Sequence, residues 1–256
     1  MGRKIRADQA LVEQGLVESR EKAERLIMAG RVSCVIEGSP RPVAKPGQSV
    51  APDAELRVAA GERFVSRGGE KLLTALEHFA VDVQGRIALD VGASTGGFTD
   101  CLLQHGALKV YAVDVGKGLL DWKLRQDSRV VNLEGVNFRH AGPDLLPEPV
   151  DVVTADCSFI SLRLILPPCL QFCKPATDIL ALIKPQFEAD PGAGERGVIR
   201  DPLLREQILE EITVFARDEL GLACRGIVPS KILGPKGNQE YLAWFRPAAT
   251  GGAGLD

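Results

Sequence analysis

Long hydrophobic runs are missing from this 256-residue chain. Residues 179–183 form one of its longest apolar runs, and these five residues fall far short of the roughly 18 that a membrane-spanning helix needs. Residues 1–6 are basic but lead into no apolar stretch, so the sequence predicts no signal peptide. We therefore expect a cytoplasmic protein that makes no contact with membranes.

Paired metal ligands are missing as well. The six cysteines form no C-x-x-C motif, and no nearby histidine completes a zinc site. The closest pair, Cys169 and Cys173, would share one face of a helix, which favours buried free thiols. The sequence thus argues against a structural metal and against a disulfide framework.

An overall positive charge is also absent, since the formal net charge is −3. The charges are unevenly distributed, however. Residues 1–69 contain 12 Lys and Arg against 9 Asp and Glu, whereas the remaining 187 residues contain 19 against 25. This basic excess lies in the N-terminal part, but by itself it does not distinguish a nucleic-acid-binding surface from an ordinary solvated one.

The first 62 residues predict a small α+β domain. Residues 7–14 predict a helix that Gly15 ends, and Ser19 is a candidate N-cap for a second helix, Arg20–Met28. Strands are predicted at 31–35 and 55–58, with a loop rich in proline and glycine between them. Beyond this domain we expect a linker at 63–69, a larger domain at 70–247 and a flexible tail at 248–256.

The larger domain alternates between helices and short apolar strands. The strands are predicted at residues 87–90, 110–114, 130–133, 150–156 and 179–184, with helices such as 98–105 and 162–172 between them. This alternation is typical of an α/β fold with a mostly parallel sheet covered on both faces. Segments 223–232 and 241–245 flank a Gly-Pro-Lys-Gly-Asn turn and predict an antiparallel hairpin at the edge of the sheet.

A glycine-rich turn after the first of these strands predicts a cofactor site. Residues 90–100 read Asp-Val-Gly-Ala-Ser-Thr-Gly-Gly-Phe-Thr-Asp, and glycines let a backbone approach a ligand closely. Asp114 lies 22 positions after Gly92, where a carboxylate can hold the ribose hydroxyls of an adenosine-containing cofactor. The spacing G-x-x-x-G-G favours S-adenosylmethionine over a dinucleotide. A nucleotide enzyme and a turn without function are the alternatives.

Charged residues at two further strand ends predict a catalytic site, because ligands of open parallel sheets bind there. Asp156 ends the fourth predicted strand, and Lys184 follows five apolar residues in the fifth. The alternatives are a helix cap for Asp156 and simple emergence into solvent for Lys184. Asp156 precedes Cys-Ser-Phe rather than the Pro-Pro-Tyr/Phe common in enzymes that methylate exocyclic amines. This difference favours another acceptor, such as a hydroxyl.

Six ordered motifs occur along the chain from the end of the predicted linker onward, at residues 67–72, 90–100, 112–116, 156–162, 184–188 and 234–240. Together they resemble the TlyA (haemolysin A-type) family of ribosomal RNA 2′-O-methyltransferases. Segments 6–11 and 19–32 resemble the RNA-binding domain named after small-subunit ribosomal protein four. The resemblance covers nearly the whole chain.

The resemblance implies a Rossmann-like, FtsJ-type methyltransferase domain that uses S-adenosylmethionine, preceded by a small α+β RNA-binding domain. It implies 2′-O-methylation of cytidine in ribosomal RNA, with ribosomal subunits as partners and no metal. It also implies a catalytic tetrad of Lys71, Asp156, Lys184 and Glu240. Lys184 would lie nearest the 2′-oxygen, either accepting its proton or stabilising the developing alkoxide.

The remaining predicted contacts fall into two sets. For the cofactor they are Asp90, at its amino-acid end, with Gly92, Ala93, Ser94, Thr95, Gly96, Gly97, Phe98, Asp114, Val115, Glu134 and Asn137. For RNA phosphates they are Lys4, Arg6, Arg20, Arg25, Arg31 and Arg67. Pairing with acidic neighbours on a helix surface is the alternative for the arginines. A non-catalytic ribosome-assembly factor and a pore-forming haemolysin are the rival functions.

Overall fold

The computed structural model describes residues 4–59, 61, 63–190, 192–194 and 197–248. The chain divides into two compact units, Met1–Gly61 and Glu62–Asp256.

The first unit combines two short helices with short antiparallel strands. Its helices are α1 (Ala7–Glu13) and α2 (Arg20–Met28), and its strands are β1 (Ile5–Arg6), β2 (Val32–Ile36), β3 (Ser39–Pro42), β4 (Ser49–Val50) and β5 (Leu56–Val58). Helix α2 begins where the sequence predicts, because the Ser19 hydroxyl accepts a hydrogen bond from the Lys22 amide at 3.2 Å. Leu11, Ile27 and Val32 form part of a buried core.

Strand β3 lies in the segment predicted to be a loop. Its two prolines disfavour a strand in general, but β3 is the edge strand of the order β3-β2-β5. Glu37 and Gly38 connect it to β2 with φ angles of 51° and 76°. Two consecutive left-handed residues form the kind of two-residue turn that joins antiparallel strands tightly.

The second unit is built on a seven-stranded sheet with the order β11-β12-β10-β9-β6-β7-β8. Its strands are β6 (Ile87–Val91), β7 (Lys109–Asp114), β8 (Val130–Glu134), β9 (Val150–Ala155), β10 (Cys173–Ile183), β11 (Leu222–Pro229) and β12 (Tyr241–Pro247). All pairings from β10 to β8 are parallel, whereas β12 pairs antiparallel with both β10 and β11. The predicted α/β class and the antiparallel edge hairpin are therefore confirmed.

Helices cover both faces of this sheet. They are α3 (Gly68–Phe79), α4 (Gly97–Gln104), α5 (Trp122–Arg125), α6 (Leu162–Cys169), α7 (Pro185–Glu188) and α8 (Pro202–Asp218), with short 3-10 turns between some elements. Two apolar cores result, one containing Leu89, Val153 and Ile212 and the other Leu72, Leu102 and Leu180. Alternate residues of the strands thus face opposite cores, so the strand sequences are apolar almost throughout.

Three local features differ from the expectations. Residues 63–69 are not a free linker, since Phe64 is buried in the core of the second unit and helix α3 begins at Gly68. A Cβ atom at Gly69 would overlap the Phe64 ring, so this packing requires glycine there.

Cys169 ends α6 while Cys173 begins β10, so they share no helix face, although both thiols are free. Of the predicted tail, only Ala248 lies within the described residues.

Among the helices of the described part of the chain, none is both long and apolar enough to cross a membrane.

Candidate active site

Two neighbouring cavities open at the carboxyl edge of the parallel strands. The smaller has a volume of about 300 Å³ and the larger about 440 Å³. Gly92, Ser94, Asp156 and Ser158 contribute to the walls of both. The strand order reverses between β6 and β9, and in open α/β sheets such a reversal is where ligands bind.

The glycine-rich turn after β6 takes a backbone shape that side chains would prevent. Gly92 and Gly96 have φ angles of 83° and 95°, in the left-handed region. A Cβ atom at Gly92 would lie 2.8 Å from the Asp156 carbonyl oxygen, and one at Gly96 would overlap Leu124. The turn therefore packs against the loop that carries Asp156, and this brings the two predicted sites together.

Asp114, at the end of β7, holds the neighbouring backbone in place. Its Oδ2 accepts a hydrogen bond from the Ser94 amide at 2.8 Å, and its Oδ1 accepts one from the Gly116 amide at 2.7 Å. It lines the larger cavity, as do Val115 and Asn137. Each carboxylate oxygen can accept a further hydrogen bond, so Asp114 can also receive hydroxyl donors from a ligand.

Most of the predicted cofactor residues reach one of the two cavities. Those in the wall of the smaller cavity are Gly92, Ala93, Ser94, Thr95, Gly97 and Phe98. Those in the wall of the larger are Gly92, Ser94, Asp114, Val115 and Asn137. Gly96 lines neither and shapes the turn instead.

Asp90 and Glu134 line neither of these two cavities, so their predicted direct contacts with the cofactor are not supported. Asp90 is fully buried, and its oxygens accept hydrogen bonds from the hydroxyls of Thr99 at 2.7 Å and Thr154 at 2.9 Å. Burial raises the pKa of Asp90 to about 6. Glu134 binds the Arg125 guanidinium and the Gly118 amide, which supports the segment beside the cofactor turn.

Lys184 and Asp156 form an ion pair at the ends of adjacent parallel strands. The distance from Lys184 Nζ to Asp156 Oδ1 is 2.5 Å, and the ammonium also donates to the Ser158 hydroxyl at 2.9 Å. Only 7% of the Lys184 side chain is exposed, yet Lys184 and Asp156 both line the smaller cavity. Both predicted strand-end residues therefore lie together.

Lys71 and Glu240 form a second ion pair beside the same cavity. Lys71 lies in the first turns of α3, and its Nζ is 2.6 Å from Glu240 Oε2. Glu240 precedes β12, is completely buried, and its Oε1 also accepts a hydrogen bond from Gln186 Nε2 at 3.3 Å. Lys71 lines the smaller cavity, as does the segment 232–235, which packs over Glu240.

The two pairs place two ammonium groups and two carboxylates around one small cavity. Each carboxylate pairs with its buried lysine and holds the Nζ atom in a fixed position. Such ammonium groups can stabilise a negative charge that develops on an oxygen in the cavity. The geometry is therefore suited to chemistry at a hydroxyl group.

Sequence reasoning missed Phe159, which follows the loop residue Ser158. Its side chain is 90% exposed, its φ angle is 63°, and its ring lies 5.0 Å from the ring of Phe187. It lines the larger cavity. An aromatic residue directly after the Asp156 motif was visible in the sequence, but nothing in the pattern indicated that it would be exposed.

The predicted RNA contacts of the first unit include two arginines bound to one carboxylate. Arg6 donates to both oxygens of Asp8, at 3.0 and 2.7 Å, and Arg20 Nε donates to Asp8 Oδ2 at 3.0 Å. Arg31 donates to the Ala59 carbonyl oxygen, whereas Lys4 and Arg25 are exposed. In the second unit, Arg67 lines the smaller cavity.

A metal site is not evident in the part of the chain that the structure describes. No group of three or more His, Cys, Asp or Glu residues there is arranged to hold an ion.

Comparison with known proteins identifies the fold family. The model of the FtsJ-like methyltransferase family matches residues 64–247. The chain is 46% identical over 249 residues to the 16S/23S rRNA (cytidine-2′-O)-methyltransferase TlyA of Mycobacterium tuberculosis, which covers 96% of this chain and 91% of that protein. It is 40% identical over 243 residues to Hemolysin A of Brachyspira hyodysenteriae, covering 94% of this chain and 99% of that protein.

A solved structure named "Putative hemolysin from Streptococcus thermophilus" superimposes on this one with a TM-score of 0.73 and 45% identity. The match covers 96% of this chain and 89% of that one. These likenesses confirm the resemblance inferred from the six motifs. The chain belongs to the FtsJ-like methyltransferase family, within its TlyA (haemolysin A-type) group.

Proposed function

We propose that this chain transfers a methyl group from S-adenosylmethionine to the ribose 2′-hydroxyl of a cytidine in ribosomal RNA. The observation that carries the proposal is the pair of lysine–carboxylate contacts, Lys184–Asp156 and Lys71–Glu240, around a cavity beside the glycine-rich turn. The relative from Mycobacterium tuberculosis, whose name gives this reaction, supports the choice of substrate.

The larger cavity fits S-adenosylmethionine. Its walls include apolar side chains suited to an adenine ring, among them Val136, Phe138 and Ile165, and the Asp114 carboxylate suited to ribose hydroxyls. Gly92 lines both cavities, so the glycine-rich turn borders the cofactor cavity and the smaller cavity together. When bound, S-adenosylmethionine supplies an activated methyl group attached to a sulfonium.

The chain's own residues would then align the hydroxyl and take up its proton, for which the Asp156 carboxylate beside Lys184 in the wall of the same cavity is a suitable acceptor. The smaller cavity would hold the ribose so that its 2′-oxygen can approach the methyl carbon, which would provide the proximity contribution to catalysis. The Lys184 ammonium, fixed by Asp156 and Ser158, stabilises the negative charge that develops on this oxygen. The Lys71–Glu240 pair completes the electrostatic environment on the side of α3.

The exposed ring of Phe159 provides a surface on which a nucleobase of the substrate could stack. The exposed Phe159 ring stands against Phe187, next to the loop residues that border both cavities. Aromatic rings commonly hold unstacked bases of single-stranded RNA, and this contact would leave the ribose facing Lys184.

The first unit supplies RNA contacts in this proposal. Its exposed Lys4 and Arg25, and the half-exposed Arg6 and Arg20, would bind phosphates. A ribosomal substrate also accords with the predicted cytoplasmic location. The rival assembly-factor role is less well supported, because RNA binding alone requires no buried pairs of lysines and carboxylates.

The proposal is tested by incubating purified ribosomal subunits that lack the modification with labelled S-adenosylmethionine and the full-length chain. Label recovered as 2′-O-methylcytidine supports it. Absence of label on either subunit, with cofactor binding demonstrated, would refute the substrate assignment.

A further inference from the structure

Glu188 lies outside the four residues described above but ties together the two segments that carry Asp156 and Lys184. Its Oε2 accepts a hydrogen bond from the Ser161 hydroxyl at 2.5 Å, and its Oε1 accepts one from the Leu162 amide at 2.8 Å. Glu188 is the last residue of α7, while Ser161 caps α6 and Leu162 begins it. The Glu188 carboxylate therefore binds two adjacent residues, Ser161 and Leu162, that lie 27 and 26 positions before it in the chain.

These two hydrogen bonds hold one end of a short loop that belongs to the active site. Residues 156–161 connect β9 to α6, and the Asp156 amide fixes the first end by donating to the Val91 carbonyl oxygen at 3.0 Å. The contacts of Glu188 fix the other end. Between these anchors lie Ser158, which binds Lys184, and Phe159, whose positive φ angle is a conformation that L-residues rarely adopt.

Helix α7 faces this loop along its length. Lys184, directly before α7, binds Asp156 at 2.5 Å, and Phe187 contacts the Phe159 ring at 5.0 Å. Glu188 makes the last contact of the series, at the end of the loop away from the cavity.

A carboxylate is suited to this position because it can accept two hydrogen bonds from different donors at once. Burial raises the pKa of Glu188, while the Ser161 and Leu162 donors favour its charged form. The Ser161 hydroxyl in turn accepts from the Arg163 amide at 3.1 Å, which caps α6. The α6 terminus and the active-site loop are therefore held by the same side chain.

We propose that Glu188 is a positioning residue for methyl transfer: by binding Ser161 and Leu162 it holds the loop 156–161 so that Asp156 and Ser158 keep Lys184 in place. This inference rests on the proposed function. Because residues 156–160 of this loop also line the larger cavity, we expect displacement of the loop to affect both the transfer step and the affinity for S-adenosylmethionine.

The test compares Glu188→Ala and Glu188→Gln with Glu148→Ala as a matched control. Glu148 also accepts two side-chain hydrogen bonds, from Lys109 and Tyr111, both at 2.7 Å. It binds at the start of β7, at the edge of the sheet opposite the cavities. Its removal therefore disturbs stability without touching the site.

We expect Glu188→Ala to lower kcat at saturating S-adenosylmethionine about tenfold or more, and to raise the Kd for S-adenosylmethionine by a smaller factor, because the loop forms only one wall of the cofactor cavity. Glu188→Gln should recover much of the rate, because an amide oxygen can accept from Leu162 while the amide nitrogen donates to Ser161. Hydrogen exchange of the amides in 157–162, measured without RNA or cofactor, should accelerate in Glu188→Ala alone. Glu148→Ala should keep the wild-type kcat and exchange rates.

Three results would overturn the positioning role. They are a kcat for Glu188→Ala within twofold of wild type, unchanged exchange in 157–162, and a loss in Glu188→Gln equal to that in Glu188→Ala. An inactive wild-type chain would refute the proposed function instead, and the exchange measurement would still report whether Glu188 holds the loop.

Discussion

Lys184 Nζ lies 2.5 Å from Asp156 Oδ1, and the two residues follow adjacent parallel strands, β10 and β9. Parallel pairing brings the carboxyl ends of both strands to the same edge of the sheet. The charge pair is therefore a direct consequence of topology. Because Ser158 also binds this ammonium, the position of Lys184 depends on the loop that follows β9.

Removal of one charge from the Lys71–Glu240 ion pair should lower both the stability of the fold and the rate of methyl transfer. Glu240 is fully buried and Lys71 nearly so, so Glu240→Gln leaves a buried ammonium without its counter-charge. We expect a loss of about 3–5 kcal/mol in the free energy of unfolding, measured by chemical denaturation. Methyl transfer should fall about tenfold or more.

The double variant Lys71→Met, Glu240→Gln provides the control for this prediction. With both charges removed, it should regain much of the stability but none of the activity, since apolar replacement of a buried pair is often tolerated. Equal instability of the single and double variants would show that the two residues are not coupled.

Asp114 should determine cofactor affinity. In Asp114→Asn, the amide nitrogen meets a backbone N–H donor at Ser94 or Gly116, so one hydrogen bond to a charged group is lost. We expect the Kd for S-adenosylmethionine, measured by titration calorimetry, to rise about tenfold or more. Asp201→Asn is the control, because Asp201 also accepts a backbone hydrogen bond, from Leu203, at the start of α8. Wild-type affinity in Asp114→Asn would contradict the assignment.

Asp90 should make stability depend on pH. Its pKa is raised to about 6 by burial, from 3.8, so the folded chain binds a proton more tightly than the unfolded chain. This stabilising contribution is complete below about pH 4 and is lost as the pH rises through 6. The shift of about two units corresponds to about 3 kcal/mol.

Asp90→Asn removes this dependence. We predict that its stability relative to wild type increases by about 2–3 kcal/mol between pH 4 and pH 7.5, measured by denaturation at both values. A difference that stays constant with pH would show that Asp90 does not titrate in this range.

Asp8 should favour RNA binding despite its negative charge. It is completely buried and holds Arg6 and Arg20, whose side chains are 47% and 56% exposed. The Arg6 guanidinium keeps the pKa of Asp8 far below its usual range, so the carboxylate remains charged at neutral pH. Charge alone predicts tighter RNA binding by Asp8→Asn, whereas loss of this fixed arginine pair predicts weaker binding.

We expect the Kd of the full-length Asp8→Asn chain for a ribosomal RNA fragment to rise about five- to tenfold at constant salt. Glu21→Gln is the charge-matched control on the exposed surface of α2 and should bind no more weakly than wild type. Tighter binding by Asp8→Asn, with the first unit still folded by circular dichroism, would rule out the arginine-pair role.

The sequence predicted the sheet and half of the candidate tetrad for the same reason. A strand apolar on both faces is recognisable, and a charged residue at its end must emerge at the edge where ligands bind. Asp156 and Lys184 satisfy this rule. Lys71 lies in a helix, whereas Glu240 lies 169 residues later, before an antiparallel strand. Only the family resemblance therefore indicated that these two side chains belong to the same site.

The same rule failed for Asp90, which lies within β6 rather than beyond its end. Whether its carboxylate points into the cavity or beneath it depends on Thr99 and Thr154, which belong to other elements. Strand β3 was missed for a different reason, since its prolines are compatible with a strand only at a sheet edge. Both outcomes depend on tertiary neighbours that local patterns do not reveal.

The most direct test of the account compares methyl transfer to unmodified ribosomal subunits by wild type and by Lys184→Ala. Both proteins are first shown to bind S-adenosylmethionine with equal affinity. We predict that wild type yields labelled 2′-O-methylcytidine, and that Lys184→Ala is slower by about 10²–10⁴-fold, because the fixed ammonium beside the reacting oxygen is lost. Transfer by Lys184→Ala at a near wild-type rate would contradict the account.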